Sequence, residues 1–312
     1  MSPRLARILR IVAITVIVVL AILFLRRIDW AELGRAFATA KLWPLLLSSL
    51  LYFYCLFGKA LSWRIMLEPR RVSVWRLYRY TIAAWAASVL TPARAGELLR
   101  VWALKRRDGV PASESAGVAL AEKLLLAVTL LVLVAPLPWL APGLPAWVEN
   151  TLLVCAIVAA ALLVVLFVAA GRVDGRTPAT WRGRFLIGVH IVREPKRLAL
   201  TALTLLCTWI AELIAVSLVL HAVGIDIPLA GALFILFAFN LAIAIPSTPA
   251  QIGALQVGAL VATNLLGIPH EPALAFALLY QAAQVVPLLI VGLVLELDLV
   301  RGRMPAEPQP AS

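Results

Sequence analysis

Thr91-Pro92-Ala93-Arg94-Ala95-Gly96-Glu97-Leu98-Leu99-Arg100 sets two cations, a carboxylate and a proline–glycine break inside a chain that is otherwise close to hydrocarbon. About 155 residues further on the same skeleton returns, with its charged positions made neutral, as Thr248-Pro249-Ala250-Gln251-Ile252-Gly253. Two related breaks imply two related halves, and the apolar surroundings imply that both breaks lie in a membrane.

Composition supports that medium. Hydrophobic residues make up 63% and charged ones 14% of the 312 residues, with a mean hydropathy of +0.98, whereas soluble chains carry roughly a quarter charged residues. The net charge of +12 would suggest nucleic acid in a soluble protein. Here it reads as the Lys/Arg excess of cytoplasmic loops, and no nucleic-acid partner is expected. Cys55, Cys155 and Cys207 fall in apolar runs without ligand spacing, so they read as small hydrophobes. Neither a metal nor a cofactor is expected. Arg4, Arg7 and Arg10 precede an apolar run that resembles a signal peptide, but its length and the lack of a nearby cleavage pattern favour a retained first span.

Apolar runs long enough to cross a core of about 30 Å lie near 8–25, 43–66, 118–140, 149–170, 198–221 and 273–295. The arms 77–90 and 96–107, on either side of the first break, are each short for a crossing. Treating them as one hairpin that enters and leaves by the cytoplasmic face keeps Arg64, Arg70, Arg76, Arg100, Lys105, Arg106 and the basic 171–197 stretch inside. Only Arg26, Arg27, Arg35 and Lys41 are then outside. Making 77–90 a full span would reverse the 171–197 stretch, so the re-entrant reading is preferred.

Around the second break, Pro246-Ser247-Thr248-Pro249, the arms 229–245 and 251–265 form either a hairpin entered from the outer face or two short spans of the same parity. The repeat favours the hairpin. Span 43–66, first hairpin and span 118–140 map onto span 198–221, second hairpin and span 273–295 in opposite directions. The expected fold is therefore an all-α integral membrane protein with six full transmembrane helices plus two opposed re-entrant helical hairpins in an inverted-topology repeat. It forms one polytopic domain over 1–304, with halves about 1–145 and 146–300. Residues 171–197 read as an interfacial helix and 305–312 as a disordered tail.

Ionisable groups at membrane depth are functional hypotheses by default. Glu97 and Arg100 share a helix face with Arg94 just before it. Either the three neutralise one another, or an arginine is left over for an anionic headgroup. Glu122 is expected to pair with an arginine, while Lys123 and Lys59 can snorkel. Glu212 is the most isolated charge. It reads as a proton-coupling carboxyl, a partner for Arg94 or Arg100, or a neutral acid hydrogen-bonded to a neighbouring helix. Gln251 and Gln256, with Asn240, Gln281 and Gln284, line the second half or glue its helices. Pro92, Gly96, Pro246, Pro249 and Gly253 are candidate hinges. Familiar nucleophile, phosphate-loop and paired-aspartate motifs are absent, and nothing in the sequence brings Glu97 and Glu212 together as acid and base.

The stretch Pro92-Ala93-Arg94-Ala95-Gly96-Glu97-Leu98-Leu99-Arg100, followed by Lys105-Arg106-Arg107, resembles the Pro-Gly-Arg-x-Gly-Glu-x-x-Arg signature of the lysylphosphatidylglycerol synthase membrane-domain, or flippase-like, family. Glu122-Lys123 resembles its Glu-Arg pair. Pro249-Ala250-Gln251-Ile252-Gly253-Ala254-Leu255-Gln256 resembles its second signature, Pro-Gly-Gly-x-Gly-x-x-Glu. The resemblance covers nearly the whole chain and implies that membrane lipids are the ligands. Members fused to an aminoacyl transferase domain move aminoacylated phospholipid, and stand-alone members are linked to moving or handling lipids. This sequence shows no transferase domain, so the synthase activity is not expected. Gln256 stands where the second signature has Glu, and Gln281 beside Tyr280 where the last span often has Arg, which disfavours a cationic substrate. The expectation is a lipid translocase of the bacterial inner membrane, with both termini cytoplasmic and a lipid-synthesis protein as a possible partner. A membrane-embedded lipid-modifying enzyme and a scaffold are the alternatives.

Overall fold

The structure, a computed structural model, describes residues 38–68, 70, 72–91, 96–141, 143, 145–171, 180–243 and 254–301, the last six in backbone only. Every regular element among them is helical: α1 (Leu42–Met66), α2 (Val74–Leu90), α3 (Glu97–Arg107), α4 (Ala112–Val134), α5 (Ala146–Ala170), α6 (Trp181–Val189), α7 (Pro195–Ala222), α8 (Leu229–Ile243), α9 (Ala254–Leu265) and α10 (His270–Arg301). One further turn, Leu137–Leu140, follows Pro136 and prolongs α4. Another, His190–Arg193, joins α6 to α7.

Five helices are long and apolar enough to cross a membrane: Leu42–Met66, Ala112–Leu140, Ala146–Ala170, Pro195–Ala222 and His270–Leu295. They match five of the six expected spans. The sixth, 8–25, lies outside the described residues, as do Arg94, Pro92, Pro246, Pro249, Gln251, Gly253 and the tail 305–312. The fold is thus a multi-pass helical membrane protein. Its boundaries extend beyond the apolar runs where polar residues find partners. α4 begins at Ala112 because Glu114, 5% exposed, accepts two hydrogen bonds from Arg70 at 2.8 and 2.9 Å. Much of the outside is apolar, as along α5 at Leu153, Val154, Ile157, Val164 and Val165. Such a surface is stable in lipid and not in water.

The short arms fold back on themselves. At 1.5 Å per residue, α2 and α3 are roughly 26 and 17 Å long, and α8 and α9 roughly 23 and 18 Å. Gly96 lies so close to α2 that a Cβ there would sit 2.2 Å from Ser88 N and 2.5 Å from Ala84 O. At the far end Asp108 accepts from Arg76 and from the Tyr80 hydroxyl. The two helices therefore run antiparallel. Gly258 of α9 meets Phe239 Cα and Ala242 Cβ of α8 at 2.8 Å in the same sense, and a Cβ on Gly231 would meet Leu266 at 3.4 Å. α8 and α9 form the second antiparallel pair. Gly224 and Gly267, with φ of 76° and 71°, end α7 and α9 in the left-handed conformation that glycine adopts without a Cβ penalty. The amide after each bonds back to Leu220 O and Thr263 O.

The first and second halves meet along α1 and α7. Lys41 N donates to Ala222 O at 3.0 Å, and Cys55 Sγ to Thr208 O at 3.2 Å. Arg197 donates to Ile65 O at 2.7 Å and Glu68 O at 2.8 Å, covering carbonyls that the end of α1 leaves without helical partners. Residue numbers fall along α7 as they rise along α1, so the pair is antiparallel. Between these ties Gly58 lets Thr208 in, since a Cβ there would lie 2.3 Å from its methyl group. The interior divides into two larger apolar clusters. One gathers around Phe234, Phe239, Phe276 and Tyr280 in the second half, the other around Trp63, Leu77, Tyr80 and Leu104 in the first.

Candidate functional site

α3 starts where the chain leaves the first break, and its first two turns present Glu97 and Arg100 to α4. The sequence places Glu97, Arg94 and Arg100 as possible mutual partners. The structure joins Glu97 and Arg100 to the next helix instead. Arg100 Nη2 donates to Glu122 Oε2 at 2.6 Å, and Lys123 Nζ donates to Glu97 Oε1 at 2.6 Å. Because Glu122 and Lys123 are consecutive, they leave α4 about 100° apart and can take two separate partners from α3. Glu97 also sits in the first turn of α3, where the helix dipole favours a carboxylate.

The two pairs differ in surroundings. Arg100 and Glu122 side chains are 4% and 2% exposed, against 26% for Glu97 and 40% for Lys123. The Arg100 guanidinium stacks on Trp63 of α1, 3.8 Å from the ring centroid. A desolvated cation on an indole is worth about 2 kcal/mol. Among the described residues Arg100 Nη1 is buried with no hydrogen-bond partner.

Trp85 of α2 collects the remaining cations. Lys59 Nζ lies 4.1 Å from its ring centroid and Lys123 Nζ 5.8 Å. Lys59 was expected to snorkel. It is 8% exposed, because α2 of the hairpin covers the face of α1 along which it would have to extend. The cluster therefore comprises Lys59, Trp63, Trp85, Glu97, Arg100, Glu122 and Lys123, drawn from four helices. Glu122 finds the arginine partner expected for it.

Glu212 of α7 is not joined to Arg100. It accepts a hydrogen bond from the Tyr280 hydroxyl of α10 at 3.2 Å, which matches the third reading open to it, an acid bonded to a neighbouring helix. Gln256 donates to Gln281 at 2.5 Å, so the amide standing for the second signature's Glu and the one standing for the last span's Arg bind each other across α9 and α10. Gly96, expected as a hinge, has φ −59° and ψ −24°, values open to any residue. Glycine is required there for closeness to α2.

Sequence reading named Lys59 only as a snorkelling lysine and Tyr280 only as the neighbour of Gln281, and it missed Trp63 and Trp85. One signal was present: Lys59 and Trp63 are four apart and share a face of α1. What that face met could not be read. Among the described residues no group of three or more His, Cys, Asp or Glu comes together as a metal site would need. What the arrangement offers is a cluster of three cations and two carboxylates with two indoles beneath a helical hairpin, most exposed at Lys123.

A family described as "Lysylphosphatidylglycerol synthase TM region" matches residues 10–292. No curated protein matches the chain.

Proposed function

The chain belongs to the lysylphosphatidylglycerol synthase TM-region family, and from that premise we propose that it is a lipid translocase of the bacterial inner membrane. The observation that carries this reading is the ionic cluster at the first hairpin, in which Arg100 and Glu122 are buried and Glu97 and Lys123 partly exposed. Ions at membrane depth cost free energy that folding alone does not require. A polar headgroup enters from the inner leaflet beside Glu97 and Lys123, passes between the two hairpins towards Glu212 and Gln256, and leaves its acyl chains in lipid; Gln251, outside the described residues, is proposed as a further contact. In this reading the hairpins are re-entrant and the halves inverted. The antiparallel course of α1 and α7, which occupy equivalent places in the two halves, supports it. Pro92, Pro246, Pro249 and Gly253 are proposed as hinges and Arg94 as a headgroup contact; all five lie outside the described residues.

Proteoliposomes made from the host's lipid extract with labelled phospholipids test the activity. Wild type is expected to accelerate headgroup exchange between leaflets, and Glu97→Gln and Arg100→Ala to slow it at least tenfold. Glu97→Gln is the cleaner variant, because its side chain is partly exposed and its loss strands no buried cation. Chemical change of the lipid would identify an enzyme instead. Wild-type lipid traffic in cells carrying Glu97→Gln would identify a scaffold.

Topology is tested separately. Asp108 is held by Arg76 and Tyr80 and is a poor labelling site, whereas Lys105 is exposed one turn earlier. A cysteine replacing Lys105 is expected to react only from the cytoplasm. One replacing Asp226, whose side chain is 86% exposed at the other end of the bundle, should react only from the periplasm. Reaction of the Lys105 cysteine from the periplasm, with the Asp226 cysteine reacting from the cytoplasm, would end the re-entrant reading of the first hairpin.

A further inference from the structure

We propose that Lys41, His221 and Asp226 form a pH-operated latch at the outer end of the α1 and α7 pair, closed while the His221 ring is neutral and open once it is protonated. The inference takes from the proposed function only the side of the membrane that this end faces, and its test does not depend on side.

Local structure brings the three groups together. Gly224, with φ of 76°, turns the chain at the end of α7, and Ile225 N bonds back to Leu220 O at 2.9 Å. Asp226 thereby returns to the turn of helix it has just left, and its Oδ1 lies 3.3 Å from His221 Nδ1. From the other half, the Lys41 amide donates to Ala222 O at 3.0 Å. That bond sets the Lys41 side chain alongside α7, with Nζ 3.3 Å from His221 Nε2. Trp43 lies beside them, its ring centroid 6.2 Å from that of His221.

Donor and acceptor roles fix the protonation state. A lysine ammonium only donates and a carboxylate only accepts. Nε2 must then offer its lone pair to Lys41, and Nδ1 its hydrogen to Asp226. The chain of three is complete only with a neutral imidazole that carries its proton on Nδ1. Protonation sets a second N–H, on Nε2, against the ammonium. The hydrogen bond is lost and two cations face each other, while the contact with Asp226 becomes an ion pair. Lys41 is therefore held above the range in which imidazoles take up charge, about pH 5 to 8, and released below it.

Lys41 and Asp226 are the charged partners of His221 among the described residues. Glu149, His270 and Glu271, at the starts of α5 and α10, are joined to it by neither hydrogen bond nor ion pair, and Ser217, one turn earlier, donates to Leu213 O. The His221 and Asp226 side chains are 44% and 86% exposed, so protons reach the ring from solution. Both line a cavity of about 330 Å³ with Ile227 and Pro228, just ahead of α8. Release of Lys41 thus loosens a fastening between the halves beside the foot of the second hairpin, and it does so in response to acid outside the cell.

The test uses the full chain in a maltoside detergent. With the three histidines labelled with nitrogen-15, the His221 signals are assigned by their loss in His221→Gln. Above the imidazole range the ring is expected as the Nδ1–H tautomer. The Nε2–H tautomer there overturns the proposal. Hydrogen exchange of the Lys41 and Ile225 amides, corrected for the intrinsic effect of pH, reads the latch itself. Opening should be roughly threefold greater at about pH 5 than at about pH 8, the size of effect an exposed charged contact gives. His221→Gln, whose side-chain oxygen accepts from Lys41 and does not titrate, should stay at the closed value at both pH values. His221→Arg, always charged, should show the open value at both. Equal opening at the two pH values in wild type, or an unchanged pH response in His221→Gln, overturns the latch. Neither readout involves lipid movement, so the latch and the translocase reading fail separately.

Discussion

Glu122→Ala is expected to destabilise the protein by about 3–5 kcal/mol, the usual cost of breaking a buried pair from one side. The carboxylate is 2% exposed and bonds Arg100 at 2.6 Å, and the guanidinium rests on Trp63, which is itself fully buried. Once Glu122 is gone, the cation has an aromatic face but no counter-ion and no route to water. Thermal unfolding of the purified protein, with size exclusion to follow aggregation, reads the effect. The double variant Arg100→Met/Glu122→Leu removes both charges and keeps similar volume. It should recover to within about 1 kcal/mol of wild type, since apolar replacements of buried pairs are often neutral or stabilising. Lipid exchange should not recover with it. A single variant as stable as wild type, or a double variant as unstable as the single one, would show that the pair does not carry this part of the fold.

Gly96→Val is expected to be at least as damaging, by a different mechanism. A Cβ at Gly96 would lie 2.2 Å from Ser88 N and 2.5 Å from Ala84 O and Ala87 C. These are backbone atoms of α2, which no rotamer change can clear. Overpacking against side chains costs 1–3 kcal/mol, and here about 3 kcal/mol or more is expected because the helix itself must move. Displacing α3 also draws Glu97 from Lys123 and Arg100 from Glu122. The expected result is loss of folded protein from the membrane fraction, monitored by the yield of monodisperse material. Gly143→Val is the control: nothing lies within 4 Å of its Cβ position, and wild-type yield is expected. Equal yields from the two variants would refute the contact.

Hydropathy made the spans legible because lipid tests every residue of a crossing helix in the same way. Pro92 with Gly96, and the matching Pro249 with Gly253, revealed the short arms, since proline and glycine interrupt a helix whatever surrounds it. The first turn of α4 was not legible. Ser113, Glu114 and Ser115 lie before the apolar run 118–140, yet all are helical and buried, with Arg70 reaching Glu114 from outside the helix.

Pairing within the site was obscured for a related reason. Spacing along one helix suggests that Glu97 and Arg100 satisfy each other, and only the docking of α3 on α4 decides that they do not. Lys59 shows the limit most clearly. From its place near the end of α1 it should extend to the interface, and it is the hairpin laid over it, contributed by residues some 25 positions later, that encloses it beside Trp85.

The ties between α1 and α7 have a mechanical consequence. These helices belong to opposite halves and are fastened near both ends, through Lys41 to Ala222 and through Arg197 to Ile65 and Glu68, with Thr208 keyed against Gly58 between them. Rocking one whole half against the other would have to unfasten all three. The pair acts as a stator, and the stroke that the proposed translocation requires would be taken by the elements mounted around it.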